Sequence, residues 1–337
     1  MMPEHDKVVS KKNVRLIEDS YNIKICGLKR LSAGGDRNTC TYQIESETKK
    51  LYYLKVRNEK FNMLSIVIPD LLSQQISKHI IKPVNTANGQ LFTTIKNHTI
   101  IIYPFISGKS GYRSHLSVNQ WEEFGKLMLE IHSTKLPPTI RNIPYEKFGA
   151  EYRIILKNYL DRLNNMKIRD EYAREFIKFL LSKKNEIYKI ITRTEELSVK
   201  IKKTRINYCL CHGDIHPGNI IIPDSNDFYI VDWDTLIMAP KERDLMFIGA
   251  GIGNKWNTEE EINNFYRGYG QQKKVDILLL TYYRCERIIV DLVEFFNHFF
   301  EKRTDEKDKE IIIEIVKSIF DKGNIVDMVS LNDKYDI

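Results

Sequence analysis

The sequence has no apolar run approaching the roughly 18 residues that a membrane span needs. Its longest candidate, IIIYPFI at 100–106, is the size of a strand. The first twelve residues, MMPEHDKVVSKK, lack the apolar stretch of a secretory signal. Cysteine is scarce and odd in number, at 5, with no paired metal spacing; Cys209-x-Cys211 is too tight for a zinc knuckle. These absences point to a reducing cytoplasm. There is no internal repeat, no low-complexity tract, and no basic stripe interleaved with aromatics of the kind that grips single-stranded nucleic acid. The formal net charge is +7, but its clusters, KKNEIYK and KIKKTR, lie among Glu and apolar residues in helix-like stretches and read as solvated helix faces. A cytoplasmic monomer with neither nucleic-acid nor membrane partners is expected.

What is present is enough chain for two lobes with sizeable cores: 337 residues, 42% hydrophobic and 29% charged. Residues 14–57 read as strands, with a Gly-Gly turn inside KICGLKRLSAGGDRNTCTYQIES and a further strand at KKLYYLKVRN. A helix is expected over about 62–78, broken or kinked at Pro69. Two more strands, GQLFTTI and HTIIIYPFI, end at Ser107-Gly108. From Val118 the pattern turns helical: NQWEEFGKLMLEIHST places Trp121, Phe124, Leu127 and Ile131 on one face. EYRIILKNYLDRL, the 170–200 segment and three late stretches are helical too, with the short strand FYIVDWD among them. The expected fold is α+β and bilobal: a small β-rich lobe (1–99), a hinge (100–108) and a larger helical lobe (109–337). Ligands commonly bind between such lobes.

The stretch LCHGDIHPGNIII (210–222) crowds two His, an Asp and an Asn between apolar flanks. Phosphoryl transfer needs a grip on nucleotide phosphates, metal ligands, and a carboxylate beside the attacking hydroxyl. His212, Asp214 and Asn219 have the H-x-D-x-x-x-x-N spacing of a kinase catalytic loop. At this chain's usage of the three residues, that spacing arises by chance roughly 0.03 times per chain. Asp232, a hairpin's length downstream, stands where kinases hold metal, and Asn219 and Asp232 offer the hard oxygens that suit Mg²⁺.

Upstream pieces follow in the required order. Gly34-Gly35-Asp36 joins two strands where backbone amides could approach phosphates. Lys55 sits on the next strand, placed to neutralise phosphate charge. The backbone of Pro104, Phe105 and Ile106 sits where a hinge offers groups to a nucleotide base. Taken singly, each has a plainer reading, as a hairpin, an edge lysine or a buried strand. Their order makes the set a kinase-type fold.

At HGDIHPGN and IVDWD the sequence resembles the aminoglycoside phosphotransferase family, whose members share the protein-kinase fold. The second His and the Gly-Asn ending of His216-Pro217-Gly218-Asn219 are similar to that family and unlike protein kinases. The resemblance covers essentially the whole chain. In IVDWDTLIMAPKERDLMFIGAGIGNKWN and FYRGYG…YYRCERI it is closest to the spectinomycin phosphotransferase branch. It implies that Asp214 orients the substrate hydroxyl and accepts its proton, and that Asn219 and Asp232 hold metal. Lys55 would bind phosphates, the 104–106 backbone the base of ATP or GTP, and His212 and Asp244 would brace the catalytic loop. Arg243 reads as a structural ion pair.

Two departures accompany the resemblance. Kinases pair the strand Lys with a helix Glu, and here only Glu59 and Asp70 are available. Asp-Trp-Asp also replaces Asp-Phe-Gly, adding Asp234, for which three roles stand open: metal ligand, partner of a substrate amine, or cap of the next turn. The short interval from Asp232 to APKE (239–242) leaves little room for a peptide platform, so a cationic small-molecule acceptor is expected. An aminocyclitol pocket calls for carboxylates and aromatic faces, and TYYRCERIIVDLVEFF supplies Tyr283, Glu286, Arg287 and Asp291. The implied activity is ATP- or GTP-Mg²⁺-dependent O-phosphorylation of an aminoglycoside or aminocyclitol antibiotic such as spectinomycin, giving resistance. The alternatives are a homoserine, choline or sugar kinase of the same fold, and a nucleotide-binding pseudokinase.

Overall fold

The structure, a computed structural model, describes residues 11–31, 39–58, 61–166, 168, 170–270, 275–301 and 304–332. Its contacts group the chain into two units, Met1–Leu116 with Gly218–Leu236 and Ser117–Pro217 with Ile237–Ile337. A β-rich N-terminal part and a larger helical C-terminal part give the kinase-like fold.

The first unit opens with a helix, α1 (Lys11–Tyr21), where strand was expected from residue 14. Ile17 and Tyr21, four apart, fall on one helical face and are buried at 1% and 4% exposure, so the 3.6-residue period prevails over the strand reading. Strands β1 (Ile25–Leu31), β2 (Thr39–Ser46), β3 (Leu51–Asn58), β4 (Thr93–Ile95) and β5 (His98–Pro104) form an antiparallel sheet in the order β1-β2-β3-β5-β4. Alternation along β3 sends Tyr52, Leu54 and Val56 into a core with Tyr42, Ile44, Ile100, Ile102 and the buried face of α1. Tyr21 donates its hydroxyl to the Ile100 carbonyl (2.8 Å), so the core keeps no orphan phenol there. The same alternation turns Tyr53, Lys55 and Arg57 to the other face. Helix α2 (Leu64–Gln75) runs through Pro69, whose buried ring joins Ile66, Ile68 and Leu72 as its anchor. Pro69 removes one ladder bond but does not end the helix.

A second, three-stranded sheet in this unit has the order β6-β8-β9, with β6 at Lys109–Ser110, β8 at Ile220–Ile222 and β9 at Tyr229–Ile230. FYIVDWD thus supplies only two strand residues. The β8–β9 hairpin belongs to the first unit through its pairing with β6, an excursion that a division at 100–108 does not anticipate. It is tied further by Ile230, whose amide donates to the His79 carbonyl (2.8 Å), and by His79 stacked on Phe228 at 4.3 Å.

The second unit contains α3 (Val118–Ser133), α4 (Glu151–Arg162), α5 (Glu171–Ile201), α6 (Glu242–Leu245), α7 (Glu259–Tyr269), α8 (Ile277–Phe299), α9 (Glu306–Ser318) and α10 (Ile325–Asn332). Trp121, Phe124, Leu127 and Ile131 of α3 are all buried, as their spacing predicts. Helices α3 and α7 cross closely. A Cβ on Gly268 would lie 1.8 Å from the Glu122 carbonyl oxygen, and one on Gly125 2.1 Å from that of Phe265, so only glycine fits either position. Helix α8 is the unit's central element; its Cys285, Ile288, Ile289, Leu292, Val293, Phe296 and Phe299 pack with α4, α5, α9 and α10. A two-stranded ribbon pairs β7 (Cys209–Cys211) antiparallel with β10 (Ile237–Ala239), and the catalytic-loop sequence begins directly after β7.

Candidate active site

In the first unit, the β8–β9 hairpin fixes the metal-site candidates. Asn219 directly precedes β8, and Asp232 follows β9 by one residue. The Val231 amide donates to the Asn219 carbonyl (3.0 Å), which draws the two ends of the hairpin together. Asp232 has φ +65°, a left-handed conformation unusual for a non-glycine residue and one that Asp tolerates better than most.

Lys55 and Arg57, two residues apart on one face of β3, meet the aspartates of Asp-Trp-Asp. Lys55 Nζ lies 3.0 Å from Asp232 Oδ1 and 2.8 Å from Asp234 Oδ2. Arg57 pairs with Asp234 Oδ1 and donates to Ser65 Oγ (3.5 Å) on α2. Burial works against the Lys55 charge, yet Asp232 and Asp234 overcome it and raise its pKa. The aspartates diverge. Burial and the neighbouring Asp234 charge outweigh Lys55 and raise Asp232, whereas Lys55 and Arg57 together outweigh burial and lower Asp234.

The kinase-like helix carboxylate partner of Lys55 is not Asp70, whose Oδ2 instead accepts from the Gln74 side chain (2.8 Å) on α2. The reason is local: α2 has no acid in its first turn and buries an apolar face. Glu59 lies outside the described residues, as do Gly34, Gly35 and Asp36. Asp234 takes the role of ion-pair partner to two cations. Pro104 closes β5 opposite Tyr52 and, like Phe105 and Ile106, is half-buried; the Phe105 amide donates to the Leu51 carbonyl (3.2 Å).

In the second unit, Asp244 organises the start of the loop that carries Asp214. Asp244 Oδ2 accepts from the His212 amide (2.8 Å), and Asp244 Oδ1 from the Gly213 amide (2.7 Å). Gly213 has φ +86°, which lets two consecutive amides turn toward one carboxylate. His132 on α3 adds Nε2 at 3.1 Å from Asp244 Oδ2. Asp244 is fully buried, which by itself opposes its charge, but His132, His212 and the Gly213 amide prevail and lower its pKa. His212 lies wholly inside, with its ring Nδ1 3.3 Å from the Asp214 amide.

Asp214 follows with a half-buried carboxylate. Arg287 of α8 donates to its Oδ1, and His216 Nε2 stands 3.5 Å from its Oδ2. Burial opposes ionisation of Asp214, but His216 and Arg287 outweigh it and hold the carboxyl well below the usual carboxylate range. Arg287 also bridges to Asp291 Oδ1 (2.8 Å), one helical turn along. Asp291 is so enclosed that burial raises its pKa despite Arg287.

The other α8 residues are placed differently. Glu286 pairs with Arg153 of α4, itself 2% exposed, while burial raises the Glu286 pKa against that pairing. Tyr283, expected to offer a face to a ligand, is fully enclosed. Its ring packs against Tyr282 and Phe148, and its face is taken by the Arg243 guanidinium at 5.6 Å. Arg243 thus meets an aromatic ring where an ion pair was expected.

Sequence reasoning missed Arg57 and Arg153 as members of these clusters, and named His216 in the loop without assigning it to Asp214. Arg57 was within reach, because the period of two that exposes Lys55 on one face of β3 exposes Arg57 beside it. Arg153 was not, since nothing local ties α4 to a helix 130 residues away.

The residues present fit a divalent cation. Asn219 and Asp232 are hard oxygen donors, and Asp232 is 49% exposed and short of positive charge despite Lys55.

Comparisons with known proteins give the family and the fold. The model of the phosphotransferase enzyme family matches residues 74–282. The crystal structure of spectinomycin phosphotransferase APH(9)-Ia in complex with ADP and spectinomycin is 32% identical with a TM-score of 0.88, over 96% of this chain and 98% of that one. Its AMP-bound complex is 32% identical with a TM-score of 0.85, over 95% and 98%. Amicoumacin kinase hAmiN, solved with AMP-PNP, Ca²⁺ and Ami, is 16% identical over 98% of this chain and 100% of that one, with a TM-score of 0.63, and shares the fold. No curated protein is significantly similar in sequence.

Proposed function

Because the chain belongs to the phosphotransferase enzyme family, we propose that this small-molecule kinase transfers the γ-phosphoryl group of ATP to a hydroxyl of an aminocyclitol antibiotic of the spectinomycin type. The observation that carries the acceptor class is the whole-chain likeness, at 32% identity and a TM-score of 0.88, to an enzyme solved with ADP and spectinomycin.

In this reading the first unit binds nucleotide and the second presents the base. Lys55 exchanges its aspartate partners for the nucleotide phosphates, and Asn219 and Asp232 hold Mg²⁺. Bound there, Mg²⁺ neutralises charge on the transferring group. The backbone at Pro104–Ile106 receives the adenine, with Gly34, Gly35 and Asp36 at the phosphates. Arg57 keeps Asp234 in place when Lys55 turns to phosphate.

Asp214 stays ionised at neutral pH because His216 and Arg287 favour its charged form over the cost of burial. It accepts a hydrogen bond from the acceptor hydroxyl and aims that oxygen at the γ-phosphorus. As the new P–O bond forms and the bond to ADP breaks, the hydroxyl proton passes to Asp214 and then to solvent. Of the expected acceptor contacts, Glu286 and Asp291 are enclosed and already answered by Arg153 and Arg287, and Asp234 by Lys55 and Arg57. The added phosphate gives the drug negative charge and bulk, weakens its fit to ribosomal RNA and so confers resistance in the cytoplasm.

The test is Mg²⁺-dependent ADP release across spectinomycin, streptomycin, kanamycin, hygromycin, choline and homoserine, with mass spectrometry of each acceptor. Spectinomycin gaining one phosphate, and losing that gain with Asp214→Ala, is the expected result. Turnover with choline or homoserine alone would place the enzyme in metabolism instead. Nucleotide binding without turnover on any acceptor would favour the pseudokinase.

A further inference from the structure

The fold assembles a cluster of soft donors that phosphoryl transfer does not use. Cys209 and Cys211 lie at alternate positions of β7 and so project from the same face of the ribbon. Helix α3 packs on β7 and brings in His132 from its last turn. One ligand atom from each of the three residues lies within 4.8 Å of the other two. The Cys209–Cys211 spacing is too tight for a zinc knuckle, which takes both pairs of ligands from short loops. Here the third ligand comes from a helix far away in sequence, and the objection from spacing does not apply.

We propose that Cys209, Cys211 and His132 form a binding site for one thiophilic metal ion, of which Zn²⁺ is the representative. The geometry suits tetrahedral coordination. Two thiolates at a Zn–S distance of about 2.3 Å stand about 3.8 Å apart, and the two Sγ atoms are 3.8 Å apart. Both imidazole nitrogens are anchored in the metal-free protein, and metal binding requires one of them to leave its partner. Nε2 faces the Asp244 carboxylate at 3.1 Å, and Nδ1 faces the Tyr269 hydroxyl at 2.8 Å. One ring nitrogen can turn to the metal while the other keeps an anchoring bond. The His132 side chain is 4% exposed and Cys211 is fully buried, so the donors are largely dry, while the half-buried Cys209 marks the side of entry.

Without metal, the two sulfurs engage backbone carbonyls: Cys209 that of Ala239 (3.5 Å), Cys211 those of Ala239 (3.6 Å) and Pro240 (3.5 Å). Binding releases the two thiol protons to solvent as the dication enters, so the buried site gains no net charge. Water completes the fourth position. The site abuts the loop that carries Asp214, because Asp244 holds His132 and the His212 and Gly213 amides together. Occupancy therefore acts on the same carboxylate that organises the loop.

The experiment uses the reduced, full-length protein with excess Mg²⁺ to occupy oxygen-donor sites. It is titrated with Co²⁺, which reports thiolate ligation by a near-ultraviolet charge-transfer band, and then with Zn²⁺ in competition. One equivalent of Co²⁺ should develop the band and one equivalent of Zn²⁺ should abolish it. Cys209→Ser, a conservative change at a half-buried position, should cut the band by at least about half, since one of two thiolates is lost, and weaken Zn²⁺ binding at least about tenfold. Cys26→Ser, at an exposed cysteine of the other unit, should leave both unchanged. No saturable thiolate band in the wild-type protein, or a band of undiminished intensity and affinity in Cys209→Ser, would overturn the proposal.

Discussion

In the first unit, two cations, Lys55 and Arg57, face two aspartates, Asp232 and Asp234. In the second, one guanidinium, Arg287, lies between Asp214 and Asp291, with His216 against Asp214. Both clusters share positive charge unequally between two carboxylates. Asp234 and Asp214 receive most of it and are lowered; Asp232 and Asp291 are left raised by burial. The uses differ with exposure. Asp232, half open to solvent, is a carboxylate that a dication would complete, whereas Asp291 is enclosed and serves Arg287, which in turn keeps Asp214 ionised. Unequal sharing can thus prepare a metal ligand in one place and a base in another.

The comparison can be broken most forcefully at Asp214. Asp214→Asn should lower kcat by about 10²–10⁴ and, because it removes the charge that Arg287 and His216 engage, also lower the melting temperature; an unchanged kcat would remove Asp214 from the chemistry. Next comes the contrast between buried and open ion pairs. Arg153→Met strands Glu286 in the interior and should cost about 3–5 kcal/mol in denaturant unfolding. Lys157→Met, whose partner Glu195 is 41% exposed, should cost less than about 1 kcal/mol. Equal losses would mean that burial does not set the cost of these pairs.

Arg287→Lys sharpens the account of the base. A lysine cannot span both carboxylates, so the acid limb of the kcat profile should move up by about one pH unit. The sign follows from the lowered Asp214 pKa. Its ionised form contributes stability above the unfolded value of about 3.9, and that contribution is lost as pH falls through the lower folded value. The smallest effect is at Asp232. Because its folded pKa is raised, its charge opposes folding at neutral pH. Asp232→Asn also suits the left-handed backbone, and it should stabilise the ligand-free protein by less than about 1 kcal/mol, trimmed by solvent screening, while turnover is lost. A clear fall in melting temperature would show that Lys55 gains more from Asp232 than burial takes away.

The sequence made the architecture legible wherever one element carried the pattern. The His212–Asn219 spacing, Asp232 after a hairpin, and the apolar face of α3 all rest on local period or order. Failures came where a partner lay far off in the chain. The strand reading of residues 14–21 ignored a helical face that becomes evident only against the sheet it covers. Tyr283 looked like a free aromatic on α8 because nothing local reveals that Arg243 and Phe148 enclose it. Asp70 was considered for Lys55 by analogy with kinases, whereas the carboxylates come from Asp-Trp-Asp, an unusual motif visible in the sequence from the start.

The central claim is a division of labour, with Asp232 serving the nucleotide's metal and Asp214 serving the acceptor. Calorimetric titration of MgATP into the wild-type protein, Asp214→Asn and Asp232→Asn tests it most directly. The account predicts wild-type affinity for Asp214→Asn and a loss of at least about tenfold for Asp232→Asn. Loss of MgATP binding in Asp214→Asn, with binding retained in Asp232→Asn, would contradict it.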